Sequence, residues 1–172
     1  GVNDSANNKN MSKITFFKDT IIPLISYGTN TAVNYANLSQ SFIYVNVTFT
    51  ETNFANITFY LYNGSGTLWQ DDFYNTPQYN VNWTGLSNIL WYYFVNITDS
   101  ANNKNSTPIR YITLDTTNPN ATLIFPSNNT YNSTTSQNFT YNVSDNLGVK
   151  NATLYIYNET SLFNQTNTNF IV

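Results

Sequence analysis

The sequence contains 172 residues, with nine acidic and six basic side chains, a formal charge of −3, no histidine and no cysteine. Without these two residue types there is no imidazole base, thiolate nucleophile, ordinary zinc site or disulfide, so we expect neither enzyme activity nor a cofactor. Lysine and arginine are scattered singly, which argues against nucleic acid as a partner, and no apolar run approaches the roughly 18 residues of a membrane span.

Apolar and polar residues alternate with a period of two along most of the chain, which indicates strands with one buried face. The pattern is clearest where Ile43, Val45 and Val47 alternate with Tyr44 and Asn46, and clusters of Asn, Gly, Ser and Asp separate the runs. No stretch shows helical spacing, so the sequence predicts an all-β protein. The predicted strands lie, in chain order, near residues 11–18, 21–26, 41–49, 56–62, 67–74, 78–83, 89–98, 108–114, 120–125, 137–144, 151–157 and 161–172.

The shared parity of the apolar positions also predicts which side chains form the core. We expect one core that contains Val45, Val47, Phe59, Leu61, Tyr93, Val95 and Ile97.

A repeat divides the chain. The segment DSANNKN occurs at residues 4–10 and again at 99–105, and NITFYLYN at residues 56–63 is answered by NATLYIYN at 151–158. The offset of about 95 residues is too long for a solenoid repeat and suits an independently folding β-sandwich of roughly 100 residues. The sequence therefore predicts tandem sandwiches.

These motifs resemble those of a known family. The series Tyr93-x-Val95-x-Ile97-x-Asp99-x-Ala101-Asn102-Asn103 is similar to the penultimate strand and turn of the immunoglobulin-like repeats in bacterial and archaeal surface proteins and adhesins. Asp115-Thr116-x-x-Pro119 resembles their interdomain joint, and residues 144–149 resemble the turn between their second and third strands. Asn102 stands where the family usually has glycine, which asparagine can replace in a left-handed conformation. Residues 51–54 differ from 145–149, so we expect that turn to differ between the two units.

The resemblance implies domain bounds. If each domain begins at the Asp-Thr-x-x-Pro joint, residues 19–115 form a complete immunoglobulin-like domain, 1–18 close a preceding or partner sandwich, and 116–172 begin a second one. Two arrangements would complete the partial units: a window within a longer repeat, or strand addition between subunits. In both, Met11 to Lys18 should form a paired strand that contacts something outside residues 19–115.

The most frequent motif is Asn-x-Ser/Thr, the acceptor for N-linked glycan. Those on the predicted outward strand faces are the most accessible, and we rank Asn46, Asn56, Asn96 and Asn151 highest. The alternative is a polar β-surface in which Asn and Thr merely replace charge. The motif occurs seventeen times, at Asn3, Asn10, Asn37, Asn46, Asn56, Asn63, Asn82, Asn96, Asn105, Asn120, Asn128, Asn132, Asn138, Asn142, Asn151, Asn158 and Asn164.

Large aromatic side chains share the outward parity of these asparagines. Exposed aromatic groups often mark interfaces. We expect them to pack against neighbouring subunits or beneath the protein's own glycans; the alternatives are scattered tyrosines without a role and a platform for foreign sugars. The residues are Tyr44, Tyr60, Tyr62, Phe94, Tyr155 and Tyr157.

The few carboxylates do not suggest a catalytic or metal site. Asp71 and Asp72 are adjacent on a predicted strand and should point to opposite faces, whereas a glycosidase needs two facing carboxylates. Asp99 and Asp115, with their repeat counterparts Asp4 and Asp19, lie at turns and joints where related domains can bind calcium. Because calcium needs about six to eight oxygens, we favour aspartates that accept backbone hydrogen bonds and expect no metal.

Together these observations predict a non-enzymatic, extracellular protein: a structural repeat module of a cell-surface filament, sheath or stalk, N-glycosylated and partnered by a homopolymer or by neighbouring repeats of its own chain. The alternative is an adhesin or carbohydrate-binding module, which should gather aromatic and polar groups in one concave site.

Overall fold

The computed structural model describes residues 1–170, including every side chain except those of Asn167 and Asn169. The last two residues of the strand predicted at 161–172 lie outside that range. All regular structure from Gly1 to Phe170 is β, and it contains no helix able to cross a membrane. The strands are β1 Val2–Asn3, β2 Lys9–Asn10, β3 Leu24–Tyr27, β4 Ala36–Leu38, β5 Phe42–Thr50, β6 Phe54–Asn63, β7 Leu68–Tyr74, β8 Asn80–Thr84, β9 Leu90–Asp99, β10 Lys104–Ser106, β11 Arg110–Leu114, β12 Asn120–Phe125, β13 Thr140–Ser144, β14 Asn151–Tyr157 and β15 Leu162–Asn169.

Residues 24–114 form a sandwich of two sheets. One sheet has the order β3-β5-β8, and the other has the order β4-β11-β9-β6-β7 with β10 added to β9. Neighbouring strands are antiparallel except β4 and β11, which run parallel. This arrangement confirms the predicted all-β, immunoglobulin-like sandwich.

The core lies between the two sheets and follows the predicted parity. Each of the seven core residues expected from the alternation is at most 1% exposed: Val45, Val47, Phe59, Leu61, Tyr93, Val95 and Ile97. Trp83 and Trp91 fill the remaining space, and the Trp83 indole Nε1 donates a 2.6 Å hydrogen bond to the Asp72 carboxylate on the facing sheet. This bond ties the two sheets together without a disulfide.

One corner of the core holds the chain's single arginine. The Arg110 guanidinium lies 4.0 Å from the ring centre of Tyr27 and donates to the Ala32 carbonyl at 2.6 Å. The Tyr27 hydroxyl donates to the Pro108 carbonyl at 2.8 Å, and its ring meets Tyr93 edge to face at 5.7 Å. Burial raises the pKa of Tyr93 to about 12 and raises the pKa of Tyr27 as well.

The later residues form two antiparallel hairpins, β12–β13 and β14–β15. The inward side chains of β13 and β14 are only half buried and those of β12 are exposed, because no sheet among the described residues covers these hairpins as one does in residues 24–114. Ala121, Val143 and Leu154 line a cavity of about 340 Å³ between the hairpins.

The prediction of a strand over residues 11–18 is wrong for the single chain, which has no strand between Asn10 and Leu24. These residues carry no strand pairing, and Met11, Ile14, Phe16 and Phe17 are each more than 80% exposed. A strand needs a neighbour that supplies hydrogen bonds, and none of the strands between residues 1 and 170 lies beside this segment. The role of residues 1–18 in closing a sandwich beyond residues 19–115 stays a prediction.

Candidate interaction and glycosylation surface

The outer face of the larger sheet collects most of the residues that the sequence singles out. Side chains alternate across a strand, so the inward set of β6 and β9 leaves the other set facing outward. The register of these two strands places Asn56 opposite Thr98 and Thr58 opposite Asn96, followed by Tyr60 opposite Phe94 and Tyr62 opposite Tyr92. The face therefore changes from amide and hydroxyl groups at one end to aromatic rings at the other.

The aromatic end is a continuous row of rings in contact, stacked except for one tilted pair. The ring centres of Tyr60 and Phe94 are 5.0 Å apart, and those of Tyr62 and Tyr92 are 4.9 Å apart with nearly parallel planes. Tyr92 then contacts Tyr111 at 5.5 Å, and Tyr111 stacks on Tyr35 at 5.5 Å. We call these six residues the aromatic row: Tyr35, Tyr60, Tyr62, Tyr92, Phe94 and Tyr111. Their ring contacts form one extended surface, which is half exposed except at Tyr35, where 73% of the residue is exposed.

Only part of the predicted aromatic set lies in this row. Tyr44 is on the outer face of the smaller sheet, opposite Asn82, while Tyr155 and Tyr157 lie 6.5 Å apart on β14. Tyr92 and Tyr111 were not predicted, although both have outward parity in predicted strands. The sequence carries no signal for Tyr35, which precedes a three-residue strand with no visible alternation.

A polar groove adjoins the aromatic row. Its volume is about 510 Å³, and Tyr60 and Phe73 form its boundary toward the rings. The polar groove is lined by Asn56, Thr58, Asn96, Thr98, Asn102, Lys104, Asn105 and Ser106. Two glycan acceptor motifs interlock within it, because the asparagine of each lies opposite the threonine of the other.

None of the seventeen acceptor asparagines is buried, but some are already engaged through the side-chain nitrogen that would carry a sugar. The Asn46 Nδ2 donates to the Thr29 carbonyl at 3.1 Å, and the Asn105 Nδ2 donates to the Pro23 carbonyl at 2.8 Å. The Asn132 Nδ2 donates to the Gln137 side chain. Attachment at these positions would replace one of the two amide hydrogens and place a sugar beside a hydrogen bond that holds a loop or the start of the domain.

Other acceptors use the side-chain oxygen to shape turns. The Asn63 Oδ1 accepts from the backbone of Ser65 and Thr67, and the Asn158 Oδ1 accepts from Thr160 and Ser161. Of the four asparagines that the sequence ranks highest, Asn46 is thus committed to a bond, whereas Asn56, Asn96 and Asn151 make no side-chain hydrogen bond within residues 1–170. Glycan attachment stays a prediction at all of these positions.

The repeated turn has the same structure in both copies. The Asp99 carboxylate accepts from the backbone N–H of Ala101 and Asn103 at 2.9 and 2.8 Å and from the Asn103 side chain at 2.7 Å. Asp4 accepts the corresponding bonds from Ala6 and Asn8 at 2.9, 2.8 and 2.6 Å. Asn102 has a φ of 68°, the left-handed conformation expected for it, and Asn7 has the same conformation with a φ of 66°. The turn aspartates therefore accept local hydrogen bonds, as the sequence predicted.

Replacing Asp99 by alanine should destabilise the sandwich by about 2–3 kcal/mol, because three donors lose a charged acceptor that is itself only 2% exposed. The same change at Asp4 removes the same bonds from an exposed hairpin and should change stability by less than about 0.5 kcal/mol. Urea unfolding followed by tryptophan fluorescence would measure the difference, since all three tryptophans lie in residues 69–91. Equal effects of the two substitutions would contradict this explanation.

Three carboxylates meet at the start of the domain. Oxygens of Asp19, Glu51 and Asp99 lie within 4.8 Å of one another. The Ile21 N–H and the Asn53 amide lower the pKa of Asp19, and Glu51 accepts from the Asn53 N–H at 2.6 Å. Calcium would need about six to eight oxygens, and most of the oxygens in this group already accept N–H donors. Glu51 was not among the sequence candidates.

The paired aspartates Asp71 and Asp72 point to opposite faces, as predicted. Asp72 is opposite Phe59 and faces inward to bond Trp83, whereas Asp71 is opposite Tyr60 and faces outward. They cannot act on one substrate bond together.

Comparison with known proteins gives similarities at the level of fold. No family model matches the sequence, and no curated protein matches it. A crystal structure of an engineered protein is similar with a TM-score of 0.42 and 14% identity over 54% of this chain, which spans only 20% of the engineered protein. The fibronectin(III)-like modules of CbhA from Clostridium thermocellum are similar with a TM-score of 0.39 and 16% identity, covering 55% of this chain and 98% of that one. The assignment to the immunoglobulin-like sandwich class rests on the sheet order described above.

Proposed function

We propose that this chain is a structural repeat module of an extracellular cell-surface filament, sheath or stalk, and that it carries several N-linked glycans. The observation that carries the proposal is the arrangement of the seventeen acceptor motifs: every one of their asparagines lies outside the core of a sandwich closed without disulfides. The proposal assigns no catalytic role. Its partners are copies of the same chain or neighbouring repeats.

The surface chemistry supports this function. Only 9% of the residues are charged, so amide, hydroxyl and sugar groups would have to keep the outer faces hydrated. Such a surface is insensitive to salt and pH outside the cell, because few of its groups titrate. The absence of cysteine from the sequence also makes the fold independent of redox conditions.

The chain leaves the domain through a fixed segment, which suits a module in a tandem array. The Asn88 Oδ1 accepts from the Thr116 N–H at 3.2 Å, and the Asn88 Nδ2 donates to the Thr117 hydroxyl at 2.9 Å. At the other end, the Asn53 Nδ2 donates to the Asp19 carboxylate at 2.8 Å. These bonds hold both connecting segments against the sandwich.

Intact-mass measurement and electron microscopy of native material would test this proposal. We expect a mass that exceeds the 19.6 kDa of the polypeptide by several glycan units per 172-residue segment, and fibres with a regular axial repeat. A mass equal to the bare polypeptide would contradict the glycoprotein assignment. Dispersed single particles would contradict the filament assignment.

An adhesin or carbohydrate-binding module is the second candidate, because the aromatic row and the polar groove lie side by side on one sheet. This function predicts measurable affinity for a soluble polysaccharide, lost when Tyr62 and Tyr92 are both replaced by alanine. A structural module instead predicts no affinity in the unsubstituted protein. Affinity electrophoresis in gels that contain the polysaccharide would separate the two functions.

A further inference from the structure

Asn96 differs from the other acceptors in its position relative to the aromatic row. Phe94, Asn96 and Thr98 follow one another on the outward face of β9, and residues two apart on a strand are separated by about 7 Å. The Phe94 ring stacks on Tyr60 at 5.0 Å, with 23° between the planes. A sugar attached to Asn96 therefore starts within one sugar length of a fixed pair of rings.

The surroundings of Asn96 leave room for that sugar. Asn96 lies in the middle of the polar groove, between Thr58 on β6 and Ser106 on β10. Its side chain is half exposed and makes no hydrogen bond to any residue in the described range. Asn105, which lines the same groove, uses its Nδ2 to bond the Pro23 carbonyl. Asn56 is one residue pair further from the rings than Asn96.

We infer that the polar groove and the Phe94–Tyr60 pair form a binding site for the first sugar of the glycan on Asn96. This inference rests on the glycosylation proposed above. Attachment joins the anomeric carbon of an activated glycosyl phosphate donor to the Asn96 Nδ2, which releases one amide proton while the phosphate group leaves. The carbon–hydrogen face of the pyranose then packs on the two rings, and its hydroxyl groups face Thr58 and Ser106.

The covalent tether explains why so small a contact is sufficient. An unattached monosaccharide would lose translational and rotational freedom on binding, whereas an attached one is already at a high effective concentration beside the rings. The sugar covers apolar ring surface that water otherwise contacts. The glycan on Asn96 therefore stabilises the fold, in contrast to a glycan that extends freely from a turn.

Eight samples of the 172-residue chain test the inference. The unsubstituted chain, Asn96→Gln, Phe94→Ala and the double variant are each made in a eukaryotic secretory host and in a bacterial host that lacks the glycosyltransferase. The bacterial set gives the effect of each substitution without sugar. Mass analysis of the peptide that contains residue 96 gives the occupancy of the site.

In each host the unfolding temperature of the unsubstituted chain is compared with that of Asn96→Gln, and the difference found in the bacterial samples is subtracted from the difference found in the secreted samples. We expect the Asn96 glycan to raise the unfolding temperature by about 3 °C on this measure. This gain should fall below about 1 °C in the Phe94→Ala background. Tyr92→Ala, made with and without Asn96→Gln in both hosts as four further samples, is the matched control, because it removes another ring of the aromatic row that lies four residues from Asn96. In that background the gain should be retained.

The outcomes separate this inference from the function on which it rests. An occupied Asn96 whose glycan gives the same gain with and without Phe94 overturns the sugar site and leaves the glycoprotein assignment intact. An unmodified Asn96 in a chain that carries glycan elsewhere also overturns the sugar site and leaves the glycoprotein assignment intact. A secreted chain with no glycan at any position overturns both.

Discussion

Phe59→Ala should lower the free energy of unfolding by about 3–5 kcal/mol. Phe59 is completely buried in the centre of β6, between the two sheets, and its ring meets Tyr74 edge to face at 6.2 Å. Truncation removes apolar contacts from both sheets and leaves a cavity that closely paired strands cannot close. Urea unfolding followed by tryptophan fluorescence would measure the change.

Phe73→Ala is the matched control for this substitution. Phe73 lies on the neighbouring strand but faces outward and is 62% exposed, so its loss should cost less than about 0.5 kcal/mol. A cost at Phe73 that equals the cost at Phe59 would mean that the assigned inward and outward faces of the sheet are incorrect.

Alkaline pH should unfold the domain through its buried tyrosines. Because burial disfavours the phenolate, the folded protein holds the pKa of Tyr93 at about 12, whereas the unfolded chain has a value near 10. The contribution to the free energy of unfolding is fully present below about pH 10 and is lost as the pH rises to about 12. For a pKa difference of this size, the loss is about 2–3 kcal/mol. The raised pKa of Tyr27 adds to the loss in the same direction.

Tyr93→Phe isolates this effect. The variant keeps the ring in the core but removes the titrating hydroxyl, whose hydrogen bond to the Ala32 carbonyl is long at 3.4 Å. It should therefore be slightly less stable at pH 8 and lose less stability than the unsubstituted protein between pH 10 and 12. Urea midpoints measured across this range would test the prediction, and an equally steep decline in the variant would contradict it.

The buried face of the fold could be predicted from the sequence because strand parity is a local property. Phe59 and Leu61 alternate with Tyr60 and Tyr62 in the sequence, and the structure separates them into core and surface in the same way. The turn at Asp99 could also be predicted from the sequence, because its hydrogen bonds join residues at most four apart.

Features that depend on distant residues could not be predicted in this way. Outward parity suggested a free side chain at Asn46, but the loop that begins at Gly28 returns to bind it. The strand β4 has only three residues and pairs with a strand more than seventy residues later, so it leaves no local pattern. The aromatic row is intermediate: parity identifies its members on each strand, while only the register shows which rings meet.

The parallel pairing of β4 with β11 determines how the domain would bear a load. β4 is the second strand after the entering segment, behind β3, and β11 precedes the leaving segment. The Tyr35 N–H is bonded to the Tyr111 carbonyl at 2.7 Å, and the Asp115 N–H is bonded to the Leu38 carbonyl at 2.9 Å. Once β3 has separated from β5, tension between the two chain ends pulls these parallel strands past each other along their length. The hydrogen bonds between them must then break together in shear, whereas those of a hairpin pulled at its open end would break one after another.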